Sequence, residues 1–237
     1  MLKIEHLTKV YKGGKKAVDD LSLEVAAGEI YGFIGHNGAG KTTTIKAAVG
    51  ILDFEGGDIF IDGHSVKGEP MACKSVTAYI PDNPDLYDHL TGIQYLNFVG
   101  DVFAVEGELR RQRIAQYGDR LELTANLGDP ISSYSHGMKQ KLAVISALVH
   151  APKLFVLDEP MVGLDPSAAF QLKQIMKELC AQGSTIFFST HVLEVAEKLC
   201  DKIAIIKEGR LVVSGPTREV IGQSSLEDVF LELIDHE

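Results

Sequence analysis

The fold of this chain is decided by residues 35–43, which read Gly35-His36-Asn37-Gly38-Ala39-Gly40-Lys41-Thr42-Thr43. This stretch matches the pattern G-x-x-x-x-G-K-[ST] at every fixed position. Residues 29–34 (EIYGFI) precede it as a mostly apolar run typical of a buried strand, and residues 42–49 contain no helix breaker and favour a helix. The order strand, loop, helix is the one that a phosphate-binding loop requires.

The residue types of this loop suit phosphate binding. Its glycines permit positive φ angles and let backbone N–H groups approach an anion with no Cβ in the way. The N-terminus of the following helix adds about half a unit of positive charge. We expect Lys41 to pair with the β- and γ-phosphates of a nucleoside triphosphate, and the Thr42 hydroxyl to ligate Mg²⁺. The alternative, a glycine-rich turn with a surface lysine, is disfavoured by the complete motif in its proper context.

The composition is that of an ordinary globular protein. Its 237 residues are enough for one large domain or two small ones. Of these residues 45% are hydrophobic and 24% are charged, which is typical of a globular protein with a real core. The most apolar run, residues 142–149, is far shorter than the roughly 18 residues of a membrane-spanning helix, so we expect the chain not to span a membrane. The start of the chain lacks the apolar segment of a secretory signal.

The cysteines and the net charge limit which cellular compartment and which binding partners are compatible with the sequence. Cys73, Cys180 and Cys200 are odd in number and lack metal-type spacing, which favours reduced thiols in the cytosol. The formal net charge is −10. Because phosphate neutralisation requires clustered Lys and Arg, this charge argues against a nucleic-acid partner.

Short apolar runs typical of strands recur along the chain, at residues 21–25, 30–34, 59–61, 76–80, 154–157, 185–188, 203–206 and 211–213. Helical patterns separate many of them, which predicts a largely parallel α/β sheet with the nucleotide at the carboxyl ends of the strands. Between about residues 88 and 150 only helical patterns occur, at 92–103, 108–123 and 136–149. We expect one domain, residues 1–237, in which 88–150 form an inserted α-helical subdomain.

A second acidic motif follows the strand at 154–157, where Asp158 and Glu159 end the apolar run. Acids at this position lie at the carboxyl edge of the sheet, where the phosphate loop also lies. Asp158 can hold the Mg²⁺ shell, and Glu159 can accept a proton from the water that attacks the γ-phosphate. Alone, such a pattern is often a strand end with solvated acids, but downstream of a complete phosphate loop it favours catalysis.

Four further stretches resemble the motifs of one family, the nucleotide-binding subunits of ABC transporters, and the likeness covers nearly the whole chain. Tyr11 matches the aromatic residue that stacks on adenine, and residues 134–140 (YSHGMKQ) match the signature loop. Residues 163–166 (GLDP) match the D-loop. His191 follows the apolar run 185–190 and matches the switch histidine. A lone histidine is usually structural, but here its order and flanks favour the switch.

The resemblance implies a P-loop NTPase core with a mostly parallel sheet, an N-terminal antiparallel β subdomain and an inserted α-helical subdomain. It implies an ATPase with ATP and Mg²⁺ as cofactors, catalytic residues Glu159 and His191, and metal residues Thr42 and Asp158. The nucleotide residues that it adds to the phosphate loop are Tyr11, Ser135, His136, Gly137 and Asp165.

The resemblance also implies partners. Ser135 and Gly137 begin a helix whose N-terminus offers a second anion site, but this helix belongs to the separate helical block. A second ATP-binding subunit, either another copy or a close paralogue, would therefore bring its signature to the phosphate loop. The other implied partner is an integral membrane transporter subunit, with the chain lying peripherally on the cytoplasmic face of the cell membrane.

The chain departs from the family pattern at two positions. His136 replaces the first of two adjacent signature glycines, and its imidazole either crowds the nucleotide or donates a hydrogen bond to phosphate. Asp82 stands where the family carries a glutamine. We expect Asp82 to bind Mg²⁺ or its water through a carboxylate, and an ordinary turn residue before Asn83 is the alternative.

The favoured function is an ATPase subunit that powers a separate membrane-spanning partner. Residues 81–92 form a polar loop in the region where the family receives the coupling helix of that partner. The form YSHGMKQKL, Asp82 and the ending SSLEDVFLELI resemble exporters more than importers. A soluble ABC ATPase acting on nucleic acid or ribosomes is a rival that the single domain and acidic charge disfavour. A nucleotide-dependent sensor is a further alternative.

Overall fold

The computed structural model describes residues 1–235. In chain order its strands are β1 (Leu2–Val10), β2 (Lys16–Val25), β3 (Ile30–Ile34), β4 (Gly56–Ile61), β5 (His64–Ser65), β6 (Thr77–Ile80), β7 (Leu154–Asp158), β8 (Thr185–Thr190), β9 (Lys202–Lys207) and β10 (Arg210–Pro216). The helices are α1 (Lys41–Ala48), α2 (Pro70–Ser75), α3 (Gly92–Val102), α4 (Gly107–Arg120), α5 (His136–Val149), α6 (Pro166–Ala181), α7 (Leu193–Leu199), α8 (Thr217–Ile221) and α9 (Leu226–Asp235).

The strands form two sheets. The larger has the order β10-β9-β3-β8-β7-β6, in which β3, β6, β7, β8 and β9 run parallel and β10 is antiparallel. The smaller sheet has the order β2-β1-β4-β5 and is antiparallel throughout. The predicted α/β class, with a mostly parallel core sheet and an N-terminal antiparallel sheet, is confirmed.

The parallel strands are buried on both faces, which explains why they read as continuous apolar runs rather than alternating patterns. Side chains of β7 alternate between two cores because successive residues of a strand point to opposite faces. Leu154 and Val156 pack in the core beneath α1, whereas Phe155 and Leu157 pack in the core beneath α5. The same alternation turns Asp158, the last residue of β7, toward the α1 side of the sheet.

Helices α3, α4 and α5 occupy the stretch between β6 and β7, together with two short 3-10 turns at Thr124–Asn126 and Ile131–Ser133. Thr91 begins α3 with a reciprocal capping box to Gln94. The prediction of one helix over residues 108–123 was too long, since α4 ends at Arg120. Glu122 adopts a φ of 55°, a left-handed conformation that a continuing helix does not allow.

No helix among residues 1–235 combines the length and the apolar character needed to cross a membrane. The three cysteines, Cys73, Cys180 and Cys200, are free thiols. Burial raises the pKa of the Cys180 thiol to about 11, so this group stays protonated at neutral pH. The cysteines therefore act as packing residues.

Candidate nucleotide-binding site

The loop between β3 and α1 approaches neighbouring backbone so closely that two of its glycines are required. Gly40 has a φ of 109°, and a Cβ added there would lie 2.5 Å from the Ala17 carbonyl oxygen. At Gly35 an added Cβ would lie 2.7 Å from the Ile206 carbonyl oxygen. The loop therefore keeps a shape in which backbone N–H groups are free to face an anion.

Lys41 is buried at the base of this loop. Its ammonium donates to the Gly35 carbonyl at 2.6 Å and to the His36 carbonyl at 3.3 Å. Its Nζ also lies 3.5 Å from Oε1 of Glu159. The phosphate loop thus holds a positive charge that carbonyl dipoles and one carboxylate balance.

A cavity of about 580 Å³ opens over the loop. Most of the residues assigned from the sequence to nucleotide binding line it. The lining consists of Tyr11, Lys15, Lys16, Ala17, His36, Asn37, Gly38, Gly40, Lys41, Thr42, Thr43, Asp82, Glu159 and Glu208. Tyr11 lies at the rim, where the residue is 43% exposed and its hydroxyl is 3.3 Å from the Thr43 hydroxyl. The ammonium of Lys9 lies 5.8 Å from the centre of its ring.

Asp158 and Glu159 are joined through Ser189, which the sequence did not reveal as a site residue. The Ser189 hydroxyl donates to Oδ1 of Asp158 at 2.5 Å and accepts from the Glu159 backbone N–H at 3.0 Å. This bridge follows from the parallel register, in which Asp158 of β7 pairs with Ser189 of β8. The only signal for Ser189 in the sequence is that a polar residue directly follows the apolar run 185–188.

Glu159 has a strained backbone, with a φ of 49°. Non-glycine residues adopt this conformation rarely, and when they do the site often has a functional role. The Glu159 carboxylate lies beside His191, whose Nδ1 is 3.0 Å from Oε1 and whose backbone N–H donates to Oε2 at 3.3 Å. Lys41, Glu159 and His191 are far apart in the sequence, but in the structure Glu159 lies between the other two and contacts both.

The side chains present fit a hard divalent cation. Oδ2 of Asp158 is buried and has no hydrogen-bond partner in the described part of the chain, so one carboxylate oxygen is free for a metal or its water. Thr42 and Asp82 both line the cavity and add a hydroxyl and a carboxylate. Oxygen donors of this type suit Mg²⁺.

The residues that resemble the signature and the D-loop contact each other. In the described part of the chain, none of them lines the cavity over the phosphate loop. Ser135 caps α5 by accepting from the Met138 N–H at 3.2 Å. The imidazole of His136 packs against Gly163, where an added Cβ would lie 2.7 Å from Nε2. Gly137 touches the same residue, since its added Cβ would lie 2.7 Å from the Gly163 carbonyl oxygen.

Two ion pairs attach the first turns of α5 to neighbouring loops. Lys141 pairs with Asp165 at 2.9 Å, and Asp165 in turn caps α6 by accepting from the Ala168 N–H at 2.9 Å. The bond from Ala168, followed by the charge of Lys141, lowers the pKa of Asp165. Lys139 pairs with Asp88 at 2.7 Å in the loop before α3. The start of α5 is thus connected both to the D-loop segment and to the 81–92 loop.

Comparison with known proteins agrees with this fold. Residues 18–162 match the family model described as ABC transporter. An uncharacterised ABC transporter ATP-binding protein of Nostoc is 38% identical over 227 residues, which is 92% of this chain and 67% of that protein. A linearmycin resistance ATP-binding protein of Bacillus subtilis is 34% identical over 215 residues, which is 91% of this chain and 69% of that protein.

A solved structure of the ATP-binding subunit of an ABC transporter superposes with a TM-score of 0.94 at 32% identity, covering 98% of this chain and 99% of that chain. The chain spans about two thirds of the length of both relatives. It therefore belongs to the ABC transporter family, among the ATP-binding subunits that act as ATPases.

Proposed function

We propose that the chain binds Mg²⁺-ATP between its own phosphate loop and the signature of a second subunit, and hydrolyses it to power transport through a membrane-spanning partner. The observation that carries this proposal is the division of the site. Lys41, Glu159 and Thr42 line one cavity, whereas His136 and Gly137 lie beside Gly163, at the start of the helix that Ser135 caps. A second subunit facing the first head to tail brings such a helix start to the cavity.

Hydrolysis follows from the groups around Lys41. The ammonium leaves the carbonyls of Gly35 and His36 and pairs with the β- and γ-phosphates. Glu159 accepts the proton of the attacking water, and His191, 3.0 Å from its Oε1, fixes the orientation of that carboxylate. Thr42, Asp158 and Asp82 would hold the Mg²⁺, which supplies positive charge to the phosphate oxygens.

Phosphate binding at the signature uses the start of α5. The free N–H groups of its first turn and the Ser135 hydroxyl offer donors at the positive end of the helix. His136 is turned against Gly163, which favours a role in holding the D-loop segment over a direct hydrogen bond to phosphate. Closure of two subunits would then depend on the γ-phosphate and reverse after hydrolysis.

Docking of a membrane subunit is supported by an apolar surface beside residues 81–92. A cavity of about 260 Å³ opens between the end of α1, α2, β6 and the end of α3. Ile51, which lines this cavity, is exposed, and so are Met71 on α2, Val102 at the end of α3, and Tyr87 and Phe98, whose rings contact each other. Exposed apolar patches of this kind mark interaction sites, and the Lys139–Asp88 pair connects this region to the signature helix.

Export is the proposed direction of transport, with the chain peripheral on the cytoplasmic face of the membrane. The support is the signature form around Ser135, Asp82 in place of glutamine, and similarity to a relative named for linearmycin resistance. The rival function, action on nucleic acid or ribosomes, is disfavoured by the net charge of −10.

The test of the composite site is the dependence of ATPase turnover on protein concentration. If two subunits form each site, turnover per subunit rises as the protein concentration rises and then saturates. The Ser135→Ala variant should lose most of this turnover at every concentration while binding ADP as the wild type does. Turnover per subunit that is independent of concentration, and equal in Ser135→Ala, would contradict the proposal.

A further inference from the structure

Three buried polar atoms near the proposed metal site lack a hydrogen-bond partner in the described part of the protein. One is Oε1 of Glu159, which lies 3.0 Å from Nδ1 of His191; the other two are the hydroxyl of Tyr79 and Oδ2 of Asp158. Buried polar groups nearly always form hydrogen bonds, so each unsatisfied one calls for an explanation. Asp158 is already placed in the proposed metal site, whereas Tyr79 belongs to no motif of the sequence.

Strand register places these two side chains on the same face of the sheet. Tyr79 of β6 pairs directly with Val156 of β7, and Asp158 lies two residues beyond Val156. Because side chains two residues apart point to the same face, Asp158 is the diagonal neighbour of Tyr79. From strand spacing and rise, their Cα atoms are about 8 Å apart, a span that a tyrosine side chain directed toward Asp158 can cover.

The charges around the hydroxyl agree with this direction. The Tyr79 side chain packs against the core beneath α1 and lines the cavity at the end of that helix, beside Val49 and Gly50. Burial, and then the negative charges of Asp158 and Asp82, raise the pKa of the Tyr79 hydroxyl. The hydroxyl is therefore protonated at neutral pH and can both donate and accept a hydrogen bond.

We propose that Tyr79 is a positioning residue of the magnesium site: its hydroxyl forms a hydrogen bond with a water of the metal and holds that water beside the carboxylate of Asp158. This inference rests on the proposed function, because it requires Mg²⁺ near Asp158. Groups that hydrogen-bond to the ligands of a metal orient those ligands and commonly change metal affinity by about 10- to 100-fold when removed. Tyr79 would thus set how tightly the nucleotide complex holds its metal.

The experiment is a calorimetric titration of ADP, without Mg²⁺ and over a series of Mg²⁺ concentrations, for the wild type and for Tyr79→Phe. The variant keeps the ring and removes one oxygen. We expect unchanged ADP affinity without Mg²⁺ and an apparent Mg²⁺ affinity of the ADP complex lowered by about tenfold. The matched control is Tyr31→Phe, which removes a buried hydroxyl that pairs with Ser214 at 2.6 Å and should leave the Mg²⁺ dependence unchanged.

The outcomes separate the inference from the proposed function. A wild type whose ADP binding does not respond to Mg²⁺, or an Asp158→Asn variant that responds fully, overturns the proposed metal site and the role of Tyr79 with it. A wild type that responds, an Asp158→Asn variant that does not, and a Tyr79→Phe variant identical to wild type overturn the role of Tyr79 alone.

Discussion

Lys41 and Glu159 face each other across the phosphate cavity, with Nζ 3.5 Å from Oε1. A γ-phosphate that reaches Lys41 must therefore approach a carboxylate that is 14% exposed and repels it. The positive charge of Lys41 and of the metal offsets this repulsion, and the carboxylate is then adjacent to the phosphate. This arrangement places the proposed base next to the group that water attacks.

Lys41→Ala should weaken ATP binding. The substitution removes the charge that pairs with the β- and γ-phosphates, and a hydrogen bond to a charged group contributes about 1.5 to 3 kcal/mol. We expect ATP affinity to fall by roughly 10- to 100-fold, measured by calorimetry. Lys46→Ala, in the last turn of the same helix, is the matched control and should bind as the wild type does. Equal affinities for both variants would refute the phosphate-loop assignment.

Tyr11→Ala should weaken binding of adenine nucleotides, whereas Tyr11→Phe should not. Stacking of a base on an aromatic side chain contributes about 1 to 3 kcal/mol, and phenylalanine retains the ring. Fluorescence titration with ADP compares the three proteins. If the alanine variant binds with wild-type affinity, Tyr11 is only a partly exposed loop aromatic.

His136→Gly should lower ATPase turnover without changing ADP affinity. The imidazole packs against Gly163, and its loss frees the segment that leads to Asp165. We expect turnover to fall by about threefold to tenfold, which corresponds to roughly 0.6 to 1.4 kcal/mol in the barrier.

The control for His136 is His64→Gly, which changes a histidine on β5 outside the site. Its turnover should equal that of the wild type. A rise in turnover of His136→Gly would instead favour crowding of the nucleotide by the imidazole.

Acid should destabilise the protein through His150. This ring stacks on Phe103 with centroids 3.7 Å apart, and burial lowers its pKa from 6.5 to about 4. The folded state favours the neutral ring, so its contribution to stability is complete above pH 6.5 and is lost as the pH falls toward 4. The unfolding temperature should therefore fall over this window.

A variant without the titrating ring, His150→Gln, should have a lower unfolding temperature at pH 7 and a shallower decline between pH 6.5 and 4. His64→Gln, which changes a half-buried histidine on β5, is the control and should follow the wild type. Parallel curves for the wild type and His150→Gln would show that another group accounts for the acid sensitivity.

Local sequence patterns correctly predicted those parts of the molecule in which the local preference for helix, strand or turn agrees with the tertiary fold. The phosphate loop, the buried runs of β3, β7 and β8, and the start of α5 at Ser135 all carry strong signals within a few residues. The end of α4 was placed too late, because the left-handed turn at Glu122 leaves no glycine or proline as a marker. The helices after β7 alternate with strands but were not located individually.

The contacts that organise the site required the tertiary structure. Ser189 acts on Asp158 and Glu159 only because β7 and β8 pair in one particular register. The contact of His136 with Gly163 joins residues from two segments whose approach no local pattern predicts. Likewise Tyr79 reads as a strand aromatic until its diagonal relation to Asp158 is known.

The proposed function requires that two chains close on ATP and that Glu159 supplies the base. Glu159→Gln keeps the shape of the side chain and removes its basicity. ATP should therefore still bind, but the rate of hydrolysis should fall by roughly 10²-fold or more. The direct measurement is the molar mass of this variant in solution, by light scattering, with Mg²⁺-ATP and without nucleotide. We expect a dimer with Mg²⁺-ATP and a monomer without nucleotide. A variant that stays monomeric at saturating Mg²⁺-ATP would contradict the proposed function.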